Sequence, residues 1–180
     1  MKKTVLTFGF ISGAVMAAFM IATFPFLHDF GNDKGVVVGY TGIVLAFLLV
    51  FFGIRSYRDD VNGGSISFWR GVAVGTLIAV ISSLCYTATW EVMSRKFAPN
   101  FGQQYADMAV NKARADGKSE AEVAKVRADM QRFVENYKNP LYNSAMTFIE
   151  PFPVGLVIAF VSAAILRRKR GAGGALLSAA

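Results

Sequence analysis

Few side chains in this 180-residue chain are both chemically versatile and set among apolar neighbours: Glu91, Glu150, Cys85 and His28. A carboxylate held in lipid is costly when charged, so it serves as a proton or ion carrier unless it lies shallow enough to reach headgroup water. Glu91 follows one apolar run directly, and Glu150 immediately precedes another. Both read as interfacial ionisable groups, with Arg95 or Lys96 as expected partners for Glu150. Cys85 is the only cysteine and His28 the only histidine. A His-based general base, a zinc cluster and an intramolecular disulfide are therefore out of reach. The loop Arg55–Gly71 carries Asn62-Gly63-Gly64, but this is a turn signal, too short for a phosphate cradle and without the Gly-Lys-Ser/Thr of a P-loop. Ser65 or Ser67 is placed to cap the helix that follows. With no paired carboxylates in a cleft and no Ser/His/Asp set, the expectation is no catalytic residues, no enzyme activity, no cofactor and no metal.

The elements that carry these residues are set by composition. Apolar residues make up 54% of the chain and charged residues 17%, against roughly 45–50% and 25% in soluble domains. Of the 31 charged residues, 17 lie between Glu91 and Glu150, whereas Val5–Leu27, Val36–Ile54, Gly71–Trp90 and Pro151–Leu166 have none. Disorder, a disulfide scaffold, a collagen-like repeat and a nucleic-acid-binding domain do not fit that pattern. A bilayer core about 30 Å thick takes ~20 residues of helix. The pattern predicts an all-α integral membrane protein with four spans, at about 5–27, 36–54, 69–90 and 146–166. The last is expected to bend at Pro151–Pro153, where proline removes a backbone donor. The first apolar run continues through Phe24-Pro25-Phe26-Leu27, beyond the roughly 7–15 residues of a signal h-region, so a retained span is expected.

Basic residues in short flanks orient the spans. Lys2, Lys3, Arg55, Arg58, Arg70, Arg167, Arg168, Lys169 and Arg170 fall on one side of a four-span arrangement, and the first short loop opposite has only Lys34. Both termini are therefore expected in the cytoplasm. Tyr40, Trp69, Tyr86 and Trp90 lie near span ends, as an aromatic belt requires. Gly9, Gly13 and Ala17 form a small-residue stripe, and Gly71, Gly75, Ala79 and Ser83 form another. They are expected to let helices approach closely within the molecule, with a homodimer face as the alternative.

Between spans three and four, residues of about 99–139 are predicted to form an extracytoplasmic helical hairpin. Ala98-Pro99-Asn100 breaks the chain, Phe101–Ala115 is helical in composition, and Asp116-Gly117-Lys118 makes a turn. Ser119 and Glu122 then have capping-box spacing. The 18-residue helix they start carries Val123, Val126, Met130, Phe133 and Tyr137 at spacings of 3, 4, 3 and 4. Two heptads fall short of a coiled coil, and the stripe either packs on the first hairpin helix or binds a partner.

One motif points to a family. A first span containing glycine follows two lysines, and Arg55, Tyr57, Arg58 and Asp59 close span two. Gly63, Gly64, Ile66, Ser67 and Phe68 open span three. Asn139-Pro140 precedes span four, which ends in Ser162 to Lys169. Together these resemble a bacterial membrane-protein family catalogued as domain of unknown function (DUF) 4199, from about Lys3 to Arg170. The resemblance implies a four-span bacterial inner-membrane protein and little more: the family's activity is not established, so it supplies no catalytic residues to carry over. Residues 1–170 then form one membrane domain, and 171–180 a flexible tail. The function expected is that of a non-enzymatic membrane interaction or accessory protein acting through the hairpin; the alternative is a small oligomeric transporter or channel. Expected partners are the lipid bilayer and either a second copy or an envelope protein, with no nucleic acid.

Overall fold

Long charge-free runs can satisfy their own backbone polar groups in an apolar medium as helix, and helices are what the chain forms. The computed structural model describes residues 1–168, with side chains for all of these but 27–34. His28, Lys34, Lys169, Arg170 and the tail 171–180 consequently lie outside the described residues and side chains. The helices are α1 (Lys2–Thr23), α2 (Leu27–Ser56), α3 (Phe68–Lys96), α4 (Phe101–Ala115), α5 (Glu120–Tyr137), α6 (Pro140–Ile149) and α7 (Phe152–Leu166). A 3₁₀ turn at Phe24–Phe26 follows α1, and a π-helical turn at Tyr57–Val61 follows α2. Among the described residues there are no strands.

Four helical stretches are long and apolar enough to cross a membrane: Lys2–Phe26, Gly35–Val61, Phe68–Lys96 and Pro140–Leu166. They match the four expected spans, with longer ends. The fourth begins at Pro140, six residues before the expected start. The Asn139 side chain accepts a hydrogen bond from the Leu141 backbone at 2.9 Å, and proline needs no donor partner in a first turn. The α-helix is interrupted at Glu150-Pro151, in line with the expected proline bend.

The chain divides into two compact units, Met1–Tyr86 with the segment from Glu150 onward, and Thr87–Ile149. In the first, small residues set the spacing of the helices. A Cβ added to Gly71 would lie 2.9 Å from Ala163 Cβ, one on Gly75 2.7 Å from Ala159 Cβ, and one on Gly155 2.8 Å from Ala79 Cβ. These three pairs share one antiparallel register between α3 and α7. On α1, a Cβ at Gly9 would meet Ile81 at 2.8 Å and one at Gly13 would meet Cys85 at 2.5 Å, in a parallel register with α3. Both small-residue stripes are thus covered inside the molecule. Buried hydroxyls join the same helices: Ser12 donates to the Ala46 carbonyl at 2.9 Å, and Ser82 donates to the Ile78 and Gly9 carbonyls at 2.9 and 3.2 Å. Met16, Phe47, Val50, Ile54 and Ile78 fill the centre.

The outward faces of these helices are apolar too. Phe10, Leu45, Phe52, Val157, Val161 and Ile165 are all exposed, Ile165 by 67%. Exposed apolar residues in this number suit a non-aqueous surrounding. The four helices are compatible with a multi-pass membrane protein.

The second unit is built differently. Val110, Ala113 and Val123 make a small core between α4 and α5, with Val126 at its edge. Further along, Tyr105 meets Phe133 at a ring separation of 5.5 Å, and Phe101 meets Tyr137 at 6.2 Å. These pairs set the two helices antiparallel. Helix α5 starts at the expected capping box: Ser119 N–H donates to Glu122 Oε2 at 2.9 Å, and Glu122 N–H donates back to Ser119 Oγ at 3.4 Å.

Candidate functional site

Three sets of residues were candidates from sequence: the loop after span two, the stripe on α5, and the two glutamates. The loop has the most specific geometry. Tyr57 is buried, and the π-helical turn it begins lengthens the end of α2. Arg58 then grips Asp59 through two hydrogen bonds, from Nε at 2.6 Å and Nη2 at 3.0 Å, while Arg55 lies 3.6 Å from the same carboxylate. The other Arg58 nitrogen, Nη1, reaches the Leu166 carbonyl at 3.4 Å, at the end of α7. Gly63 and Gly64 have φ of +65° and +74°, where a side chain is strained. That turn lets the Gly64 N–H reach the Arg58 carbonyl at 2.9 Å and brings the chain back toward α3. The Asn62 amide donates to the Ser65 carbonyl, and Ser67 Oγ accepts from the Arg70 N–H at 3.4 Å, the expected cap.

Ile66 completes the loop. Buried to 2% exposure, it exchanges two backbone hydrogen bonds with Arg168, both at 3.0 Å. The loop motif Arg55, Tyr57, Arg58, Asp59, Gly63, Gly64 and Phe68 therefore frames a clasp that ties the α2–α3 connection to the end of the last helix. Sequence reading singled out the glycines and the Arg-Asp pair but not Ile66 as the contact. An isolated two-residue pairing leaves no periodic signal.

On the second unit, the stripe faces its own neighbours. Val123 is buried, Phe133 packs between Tyr105 and Tyr137, and Tyr137 accepts a hydrogen bond from Trp90 Nε1 at 2.8 Å. Trp90 also stacks edge-on to Phe101 at 4.7 Å. Val126 packs at the rim of the core, and Met130 is half-buried. Glu91 is held within this unit, taking hydrogen bonds from Ser144 Oγ and Arg95 Nη2, each at 2.8 Å. Glu122 is the capping carboxylate, and the bonds from Ser119 hold it below the usual carboxylate range.

Glu150 has a different partner from those expected. In the first unit the Tyr86 hydroxyl donates to Glu150 Oε2 at 3.1 Å, and Arg95 is committed to Glu91. Tyr86 was legible in the sequence only as a belt aromatic. Its pairing joins α3 to the start of α7 across 64 positions of chain, beyond any local pattern.

The loop clasp and the helices it ties together are what a family comparison covers. The family described as "Protein of unknown function (DUF4199)" matches residues 7–168. The chain belongs to the DUF4199 family. The matched stretch begins within the first apolar helix, takes in the other three and runs to Arg168, the residue that closes the clasp on Ile66. No curated protein and no solved structure matches the chain.

Proposed function

We propose that this DUF4199 member is a multi-pass protein of the bacterial inner membrane with both termini in the cytoplasm. We further infer a non-enzymatic role as an accessory protein, in which the polar helical hairpin α4–α5 stands outside and meets another envelope protein. The observation that carries this reading is the self-contained packing of Thr87–Ile149. A connector between two spans needs neither a capped 18-residue helix nor an aromatic cluster closed by Trp90 and Tyr137. A folded module with a charged exterior is suited to presenting a surface. The orientation draws on the basic residues gathered at the clasped end of the first unit.

The test is photocrosslinking in living cells from exposed positions of this module, Met108 and Arg132. A crosslink to a different envelope protein is expected. Crosslinks confined to the chain itself would overturn the accessory role. Reporter fusions at each terminus test the orientation, and activity of a periplasm-dependent reporter there would reverse it.

A second reading, a small oligomeric transporter or channel, draws on the Glu150–Tyr86 pair inside a stretch otherwise built for lipid. Ion flux from purified protein in liposomes that disappears in Glu150→Gln would favour it over the accessory role. Equal flux in the two would remove it.

A further inference from the structure

Asp59 satisfies Arg55 and Arg58 at the clasped end of the first unit, but other basic residues there are left open. Among the described residues, no carboxylate pairs with Arg70, Arg167 or Arg168, and all three are exposed. The register of α3 against α7 places them at one level of the helix pair: Gly71 packs on Ala163, and Ile66 pairs with Arg168. Arg70 and Arg167 therefore sit within about one helical turn of the same end of this helix pair.

Beside them, and reaching further along α7, is an aromatic surface. Trp69, 71% exposed, lies edge-on to Phe160 at a ring separation of 6.4 Å, and Phe68 lies 6.0 Å from Phe160 and 5.1 Å from Trp69, so the three rings form one cluster. Phe160 is seven residues before Arg167, which is two turns on the same face of α7. Open positive charge at the helix ends, with exposed aromatic surface running from Trp69 to Phe160 two turns inside Arg167, matches the two ends of one phospholipid. Guanidinium groups bind phosphate oxygens, and an indole at this level lies against the upper acyl chain.

We propose that the outer groove of α3 and α7 is a binding site for an anionic phospholipid, its headgroup phosphate on Arg70 and Arg167 and its acyl chain along Trp69 and Phe160. The site rests on the membrane reading above but not on the accessory role or on which end faces the cytoplasm.

Tryptophan fluorescence in liposomes tests it, with the contribution of Trp69 taken as the difference between the intact chain and Trp69→Phe. Brominated phosphatidylglycerol is compared as a quencher with brominated phosphatidylcholine. The anionic lipid is expected to quench Trp69 at lower mole fraction, by roughly fivefold for each of the two arginines. The preference is expected to vanish in Arg70→Gln/Arg167→Gln, to persist in Arg70→Lys/Arg167→Lys, and to weaken as salt is raised on the intact chain. Equal quenching by the two lipids, or a preference unchanged in the glutamine pair, overturns the site. Quenching by neither lipid overturns the membrane reading itself, a separate outcome.

Discussion

The two units of this chain solve the same packing problem with opposite materials. Around α3 and α7 the contacts are glycine against alanine, with two serine hydroxyls bonded to backbone carbonyls at neighbouring crossings of α1 with α2 and α3. In Thr87–Ile149 they are ring against ring, with Trp90, Phe101, Tyr105, Phe133 and Tyr137 in one run of contacts. The exteriors differ as well: apolar on the first unit, and charged along α4 and α5 in the second. A helix with apolar side chains on every face gains little by hiding them from lipid, so its stability comes from close backbone approach and interhelical hydrogen bonds. A helix in water gains by burying large apolar area, and aromatics supply the most per residue. Side-chain size should therefore have opposite effects in the two places.

Enlarging a contact in the first unit is the most damaging test of that contrast. Gly75→Leu would drive a side chain into Ala159, Ile54 and Val50, and a loss of about 3 kcal/mol is expected. Thermal unfolding in detergent measures it, and an unchanged midpoint would mean that α3 and α7 are not held at this distance. Truncation should be the damaging change in the second unit. Tyr137→Ala removes a ring contact with Phe101 and Phe133 and leaves Trp90 Nε1 without its acceptor, a cost of about 2 kcal/mol. Protease resistance of the α4–α5 region reads it, and full protection in the variant would contradict the aromatic account.

The smallest effect is electrostatic and confined to the second unit. Glu122 is held below its ordinary value of 4.5 by the Ser119 hydrogen bonds. A carboxyl with a depressed folded-state value adds stability above its unfolded value and loses it as pH falls through the folded one. Acidification from pH 4.5 downward should therefore loosen the start of α5, and Glu122→Gln should flatten that dependence. Hydrogen exchange at the first turn of α5 compares the two, and identical pH profiles would dismiss the capping box as a source of pH sensitivity.

The parts of this fold that were legible in the sequence are those with local causes. Charge-free runs mark the four apolar helices, and Ser119 with Glu122 marks the start of α5 to the residue. Phe101–Ala115 emerged with the expected bounds because Asn100 and Gly117 punctuate it on both sides. What was not legible depends on partners distant in the chain. The fourth apolar helix starts early because Asn139 and Pro140 form a helix start, although in sequence they also read as the end of α5. Glu150 pairs with Tyr86 because α3 and α7 lie side by side, a fact that no spacing near residue 150 encodes. The loop motif was readable as a turn, but its contact with Leu166 and Arg168 required the register of those same two helices.

The pairing of Ile66 with Arg168 has a consequence for how the molecule is made. A growing chain extends by about 5–20 residues per second, so the loop would wait roughly 5 to 20 s for a partner about a hundred residues downstream. Throughout that interval the α2–α3 connection lacks the backbone hydrogen bonds that later close it. A chain that stalls or is cut short before Arg168 lacks those two bonds, so its loop is held only by local contacts such as Gly64 on the Arg58 carbonyl and Asn62 on the Ser65 carbonyl.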